Sequence, residues 1–135
     1  MDFPPANPSA SPQISPPHSV PTPEPTPESA INLHLLRSAA MLAANRIARA
    51  LGSAERALSI AREYSIYHLI CKSHLYRGLC MMELSRWKDA SNDFTRAANV
   101  RGWASRVTEL KFAADMKLQE EREQRVRLRR GRHTI

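Results

Sequence analysis

Apolar residues recur at helical spacing from residue 30 to residue 118, and the pattern falls into five stripes. Leu35, Ala39, Leu42, Ile47 and Ala50 predict a first helix over about residues 30–51, with Ser29 as its cap. Gly52-Ser53 reads as a helix end followed at once by a new start. Ala54, Leu58 and Ala61 then line a second helix running to Glu63, with Glu55 in its first turn. A bend is expected near Tyr64–Tyr67, because one helix from 54 to 84 would carry its apolar stripe away from any partner. A third helix over 68–84 presents Cys71, Leu75, Gly78, Leu79 and Met82. Ser85 caps a fourth over 86–99 with Trp87, Ala90, Phe94 and Ala97, and a fifth begins near Trp103 with Val107, Leu110, Ala114 and Leu118 on its inner side.

Proline explains why helices can run so freely. All ten prolines of the 135 residues lie between Pro4 and Pro27, so nothing after residue 27 removes a helical hydrogen bond. The expected organisation is a disordered proline-rich leader over 1–28, a helical-hairpin domain over 29–118 and a basic helical extension with a frayed tail over 119–135. The leader carries too little apolar area to offset the entropy of ordering, and Pro21 to Pro27 favours extended polyproline geometry. The fold class is all-α, with about five stacked antiparallel helices.

The net charge of +7 is unevenly placed. Residues 1–30 hold three acids and no bases, while residues 117–135 hold seven bases and three acids. Around Val126 and Leu128 the extension is nearly all charge, held helical by pairs such as Glu121 with Arg125 and Glu123 with Arg127, and Gly131 is expected to end it. Arg122, Arg125, Arg127, Arg129, Arg130 and Arg132 are the candidate contacts for an anion or a nucleic acid. There is no aromatic interleaving for base stacking.

Cys71 and Cys80, nine residues apart on one helix, stand about 13 Å apart along its axis and cannot bridge. With no secretory signal in view, they point to a reducing intracellular compartment, cytoplasmic or nuclear. No segment has the length and apolarity of a membrane span. No metal-ligand spacing, phosphate loop or nucleophile–base pattern occurs; His68 and His74 are six apart, and a Cys71–His74 thiol–imidazole pair lacks an orienting third group. The expectation is a protein without cofactor, metal or catalysis.

The stretch Arg86-Trp87-Lys88-Asp89-Ala90-Ser91-Asn92-Asp93-Phe94-Thr95-Arg96-Ala97 resembles the second helix of a tetratricopeptide repeat, with residues 71–104 as the repeat. Gly78 and Ala90 are small where the two helices must approach, and Phe94 and Ala97 complete the set of repeat positions. Arg77 and Met81 stand where the family carries a large apolar residue and an aromatic, and Gly102 where it carries proline. Upstream, Ala54, Leu58 and Ala61 echo the same spacing at an offset of 36 residues. The resemblance implies an adaptor that binds a peptide or a partner helix in a groove, here lined by Tyr67, Cys71, His74 and Leu75. The family's carboxylate clamp is missing, because Leu75 and Leu79 occupy its positions, so a helix or apolar segment is the expected ligand. The alternative reading is an accessory factor for nucleic acid or ribonucleoprotein that works through the basic tail.

Overall fold

Three corners of one design divide the chain. Asn45, Ser65 and Ser85 have φ of 58°, 54° and 58°, the left-handed region that reverses a helix end. At each, two backbone bonds close the helix behind it. Arg46 N–H donates to Met41 O (2.8 Å) and Asn45 N–H to Leu42 O (3.0 Å), with Ile66 to Ala61, Ser65 to Arg62, Arg86 to Met81 and Ser85 to Met82 repeating the pattern. The next residue already accepts the first bond of the following helix, as Arg46 O does from Ala50 N–H and Arg86 O from Ala90 N–H.

The computed structural model describes residues 25–133, and its elements follow from these corners. They are α1 (Pro27–Ala43), α2 (Ile47–Glu63), α3 (Tyr67–Glu83), α4 (Trp87–Arg96) and α5 (Ala104–His133). Each helix packs antiparallel against the next and α1 also touches α3, giving an all-α, solenoid-like stack of five helices. The expected leader lies outside the described residues as far as residue 24. Among the described residues, no helix is long and apolar enough to cross a membrane.

Several expected boundaries are corrected. The first helix starts at Pro27, capped by Thr26 rather than Ser29: Thr26 Oγ1 accepts from Ser29 N–H at 3.1 Å, and proline suits the first helical position. It ends at Ala43, so Gly52-Ser53 is no break but the interior of α2, where an exposed glycine costs only about 1 kcal/mol. Glu55 accordingly lies in mid-helix. Ser85 forms the corner and leaves Arg86 as a cap without a side-chain bond. Gly131 lies within α5 and does not end it.

Corners 20 residues apart make hairpins 40 residues apart, and the sequence carries that period. Residues 34–57 and 74–97 match at His34/His74, Leu35/Leu75, Arg37/Arg77, Met41/Met81, Arg46/Arg86, Ala50/Ala90, Arg56/Arg96 and Ala57/Ala97. The offset of 36 is therefore replaced by 40, and the counterparts of Ala90, Phe94 and Ala97 are Ala50, Ala54 and Ala57. Opposite them, Ser38 occupies the place of Gly78. Buried Ser38 donates to Ala50 O at 2.8 Å, whereas Gly78 leaves its space to the Phe94 ring.

The core falls into two parts. Ile31, Leu35, Ala57, Ala61 and Leu69 join α1, α2 and α3. Leu75, Met81, Ala90, Phe94, Ala97, Val107 and Ala114 join α3, α4 and α5, with Trp103 against their edge. Asp115 ties α4 to α5: it accepts from Ser91 Oγ (2.6 Å) and Lys111 Nζ (2.9 Å), and these bonds hold its carboxyl below the usual range.

Two glycines separate these roles. A Cβ on Gly78 would lie 2.7 Å from Phe94 Cε1 and 3.1 Å from Asp93 Cβ, while a Cβ on Gly52 would meet nothing within 4 Å. Gly78→Ala is expected to destabilise by about 1–3 kcal/mol through overpacking, and Gly52→Ala to stabilise by about 0.5–1 kcal/mol. Urea unfolding of the two variants measures both; a destabilising Gly52→Ala would restore a break at that residue.

Candidate interaction cleft

Where α3 begins, its exposed side faces the end of α4 and the corner beyond it. Tyr67, Ile70, Cys71 and His74 of α3 meet Thr95, Arg96 and Asn99 around a cleft of about 210 Å³. Asn99 also belongs to an adjoining cleft of about 480 Å³, lined by His68, Lys72, Val100, Arg101 and Trp103. Together they form one depression across α3 and the α4–α5 corner. Its rim carries Lys72, Arg96 and Arg101, and among the described residues no carboxylate lines either part. Arg106 lies over the Trp103 ring at 5.9 Å, adding positive charge beside the larger part.

A partly buried polar chain supports the floor. Arg62 Nη2 donates to His74 Nε2 at 3.4 Å; arginine only donates, so the imidazole proton sits on Nδ1 and is donated to Asp93 Oδ1 at 2.9 Å. Arg77 Nε approaches Asp93 Oδ2 at 3.7 Å. Those two buried atoms make no hydrogen bond. The chain links α2, α3 and α4 through one histidine, with His74 and Asp93 both buried. Both ring nitrogens are thus engaged, and no Cys71–His74 thiol–imidazole pair forms.

The expected groove residues separate. Tyr67, Cys71 and His74 line the smaller cleft, whereas Leu75 is fully buried in the core with Phe94. Gly78, Ala90, Phe94 and Ala97 are all buried at the contact of α3 and α4. Both cysteines are free and buried, and burial pushes the Cys80 thiol up to about 11. Among the described residues, no group of three His, Cys, Asp or Glu side chains could hold a metal ion.

The tail arginines divide between two faces of α5. Arg122 and Arg125 share a cleft of about 370 Å³ with Arg86 and Lys88 from the α3–α4 corner, and Arg125, Arg129 and Arg132 continue that line around Leu128. Arg127 and Arg130 line a different hollow with Gln119 and Glu123, and Arg122 lies between the two and lines both. Arg125 pairs with Glu121 at 2.7 Å and Arg127 with Glu123 at 3.9 Å.

Sequence reasoning missed Lys72, Arg96, Asn99 and Arg101. Nothing marks them in the chain, because they meet only when α4 folds back on α3. The 40-residue recurrence of His34-Leu35 and Arg37 at His74-Leu75 and Arg77 did carry a signal, namely the true repeat length.

Removing the central carboxylate should expose how much the floor depends on it. Asp93→Ala leaves the His74 Nδ1–H and the Arg77 guanidinium without their partner, and a loss of about 1–3 kcal/mol is expected from denaturant unfolding. A neutral result would show that the chain of polar groups adds nothing to stability. Comparison with known proteins finds no significant match to this chain among family models, curated proteins or solved structures.

Proposed function

We propose that the chain is a non-catalytic interaction module, an adaptor that takes a peptide or partner helix of another protein in the depression between α3 and the α4–α5 corner. The observation that carries this reading is the composition of that depression. Exposed Tyr67 and half-buried Trp103 offer apolar contact, and Asn99 and Thr95 offer hydrogen bonds between three cations that have no ion pair among the described residues. Aromatic and arginine groups of this kind dominate protein interfaces. A rigid helical stack suits the role, since it holds the rim without ligand. The same reading treats the hairpins as a degenerate tetratricopeptide-like array. Burial of Gly78, Ala90, Phe94 and Ala97 at the helix contacts supports it, although the period of 40 exceeds the family's 34 and the extra length lies in helices of 17 residues.

A displayed library of helical and extended peptides, screened against the full chain, tests the proposal. The selected ligands are expected to lose about tenfold or more in affinity, about 1.4 kcal/mol, with Tyr67→Ala or Arg96→Glu. Arg127→Glu, on a remote face, should leave them unchanged. Ligands indifferent to both cleft changes would overturn the reading.

A second reading rests on the other basic line. Arg122, Arg125, Arg129 and Arg132 fall at spacings of three and four residues on one side of α5, with Arg86 and Lys88 across from the first two. Such a row can track the phosphates of a nucleic acid. Reversing Arg125, Arg129 and Arg132 to Glu should then abolish salt-dependent binding of a labelled single-stranded RNA. Unchanged binding, or none by the native chain, excludes this reading.

A further inference from the structure

Among the described residues, both ends of the stack leave an apolar face uncovered. On α1, Leu33 is 47% and Leu36 68% exposed, and exposed Ala40 and Ala43 continue the same uncharged stripe. The internal repeat shows how such a face is used. Forty residues on, the counterparts of Leu33, Leu36 and Ala40 are Ser73, Tyr76 and Cys80 of α3. There the preceding hairpin covers them: Ser73 and Cys80 are fully buried, and Tyr76 packs against the cluster of Ile31, Leu35, Ala57 and Ala61. What α3 receives from its neighbours, α1 lacks among the described residues.

At the opposite end, the side of α5 turned away from the body exposes Phe112 (67%) and Met116 (47%), one helical turn apart. Stacked helical arrays ordinarily close with polar outer faces. Neither end here does so.

The two faces also differ in charge. Exposed Arg37 flanks the α1 stripe, and exposed Glu109 stands one turn before Phe112; neither has an ion pair among the described residues. Pairing α1 with α1 would bring two copies of Arg37 together, and pairing α5 with α5 would gather the glutamates. Only the unlike pairing sets Arg37 beside Glu109. It also lays the large Phe112 ring along a stripe in which Ala40 and Ala43 leave room.

We infer that copies of this chain associate head to tail, α5 of one packing on α1 of the next. With Glu109 level with Arg37, Phe112 and Met116 cover Leu36, Ala40 and Ala43. The contact is heterologous, so each added copy presents a fresh face and the assembly is open-ended unless its rotation closes a ring. This surface is separate from the cleft and does not depend on the function proposed for it.

Sedimentation velocity of the full chain across a concentration series tests the inference. The native chain should pass from one copy to more than two as concentration rises. Leu36→Glu and Phe112→Glu each remove one face at an exposed position, with folding checked by circular dichroism, and each variant alone should be monomeric. Mixed in equal amounts they should form a one-to-one dimer that grows no further, because each retains the face the other has lost. A native chain monomeric at every concentration overturns the inference, as it would if the leader covered the α1 stripe. So do a Phe112→Glu variant that still dimerises alone, which indicates α1-on-α1 pairing, and a mixture that stays monomeric.

Discussion

The Phe94 ring lies where a side chain on residue 78 would otherwise stand, and much of the molecule is arranged by that contact. Only glycine lets α4 come this close to α3, and the ring then reaches Leu75, Ala114 and Val107 to carry the core into α5. Neighbouring residues are placed as a consequence. With Phe94 seated, Asp93 is pressed against His74, and one turn on, Arg96 and Asn99 are carried over Tyr67 and Cys71. The cleft is thus a by-product of a core contact. The first hairpin solves the same approach with Ser38 and Ala54, trading ring volume for a hydroxyl bonded to Ala50 O.

Much of the architecture could be read from the chain. Five helices were expected and five form, although Ile47 and Ala50 of the first stripe belong to α2, and the small residues Gly78 and Ala90 marked the tight crossing. The boundaries were less legible for a definite reason. Gly52-Ser53 carries the residue types of a helix end, yet the helix passes through it. Asn45, Ser65 and Ser85 adopt positive φ without glycine, and serine gives little local warning of that conformation. The deciding factor is tertiary, since a break at Gly52 would misplace Ala54 and Ala57 against α1. The cleft was legible on one side only. Tyr67, Cys71 and His74 share a helix face, but Arg96 and Arg101 opposite come from the end of α4 and a corner whose path no local pattern specifies.

Charge is organised differently at three places. Between α2, α3 and α4, buried His74 and Asp93 form a polar chain with exposed Arg62 and half-buried Arg77 at its ends. At the cleft rim the cations stand without carboxylates among the described residues. Along α5, glutamates spaced four residues before arginines hold the helix together as it leaves the body, in keeping with its lack of apolar support there. One basic composition therefore supplies a structural brace, a receptive rim and a self-supporting arm.

The corners have a further consequence for how the chain tolerates change in length. Helices α1, α2 and α3 are each 17 residues, and α2 and α3 lie between corners of one type, so the faces of successive helices stay in phase. Losing one residue within a helix turns everything beyond it by about 100°. Between Tyr67 and Gly78, such a loss would swing the cleft face away from α4 while leaving the crossing in place. The chain can accept many exchanges of side chain, but in these helices it has almost no freedom to shift its frame.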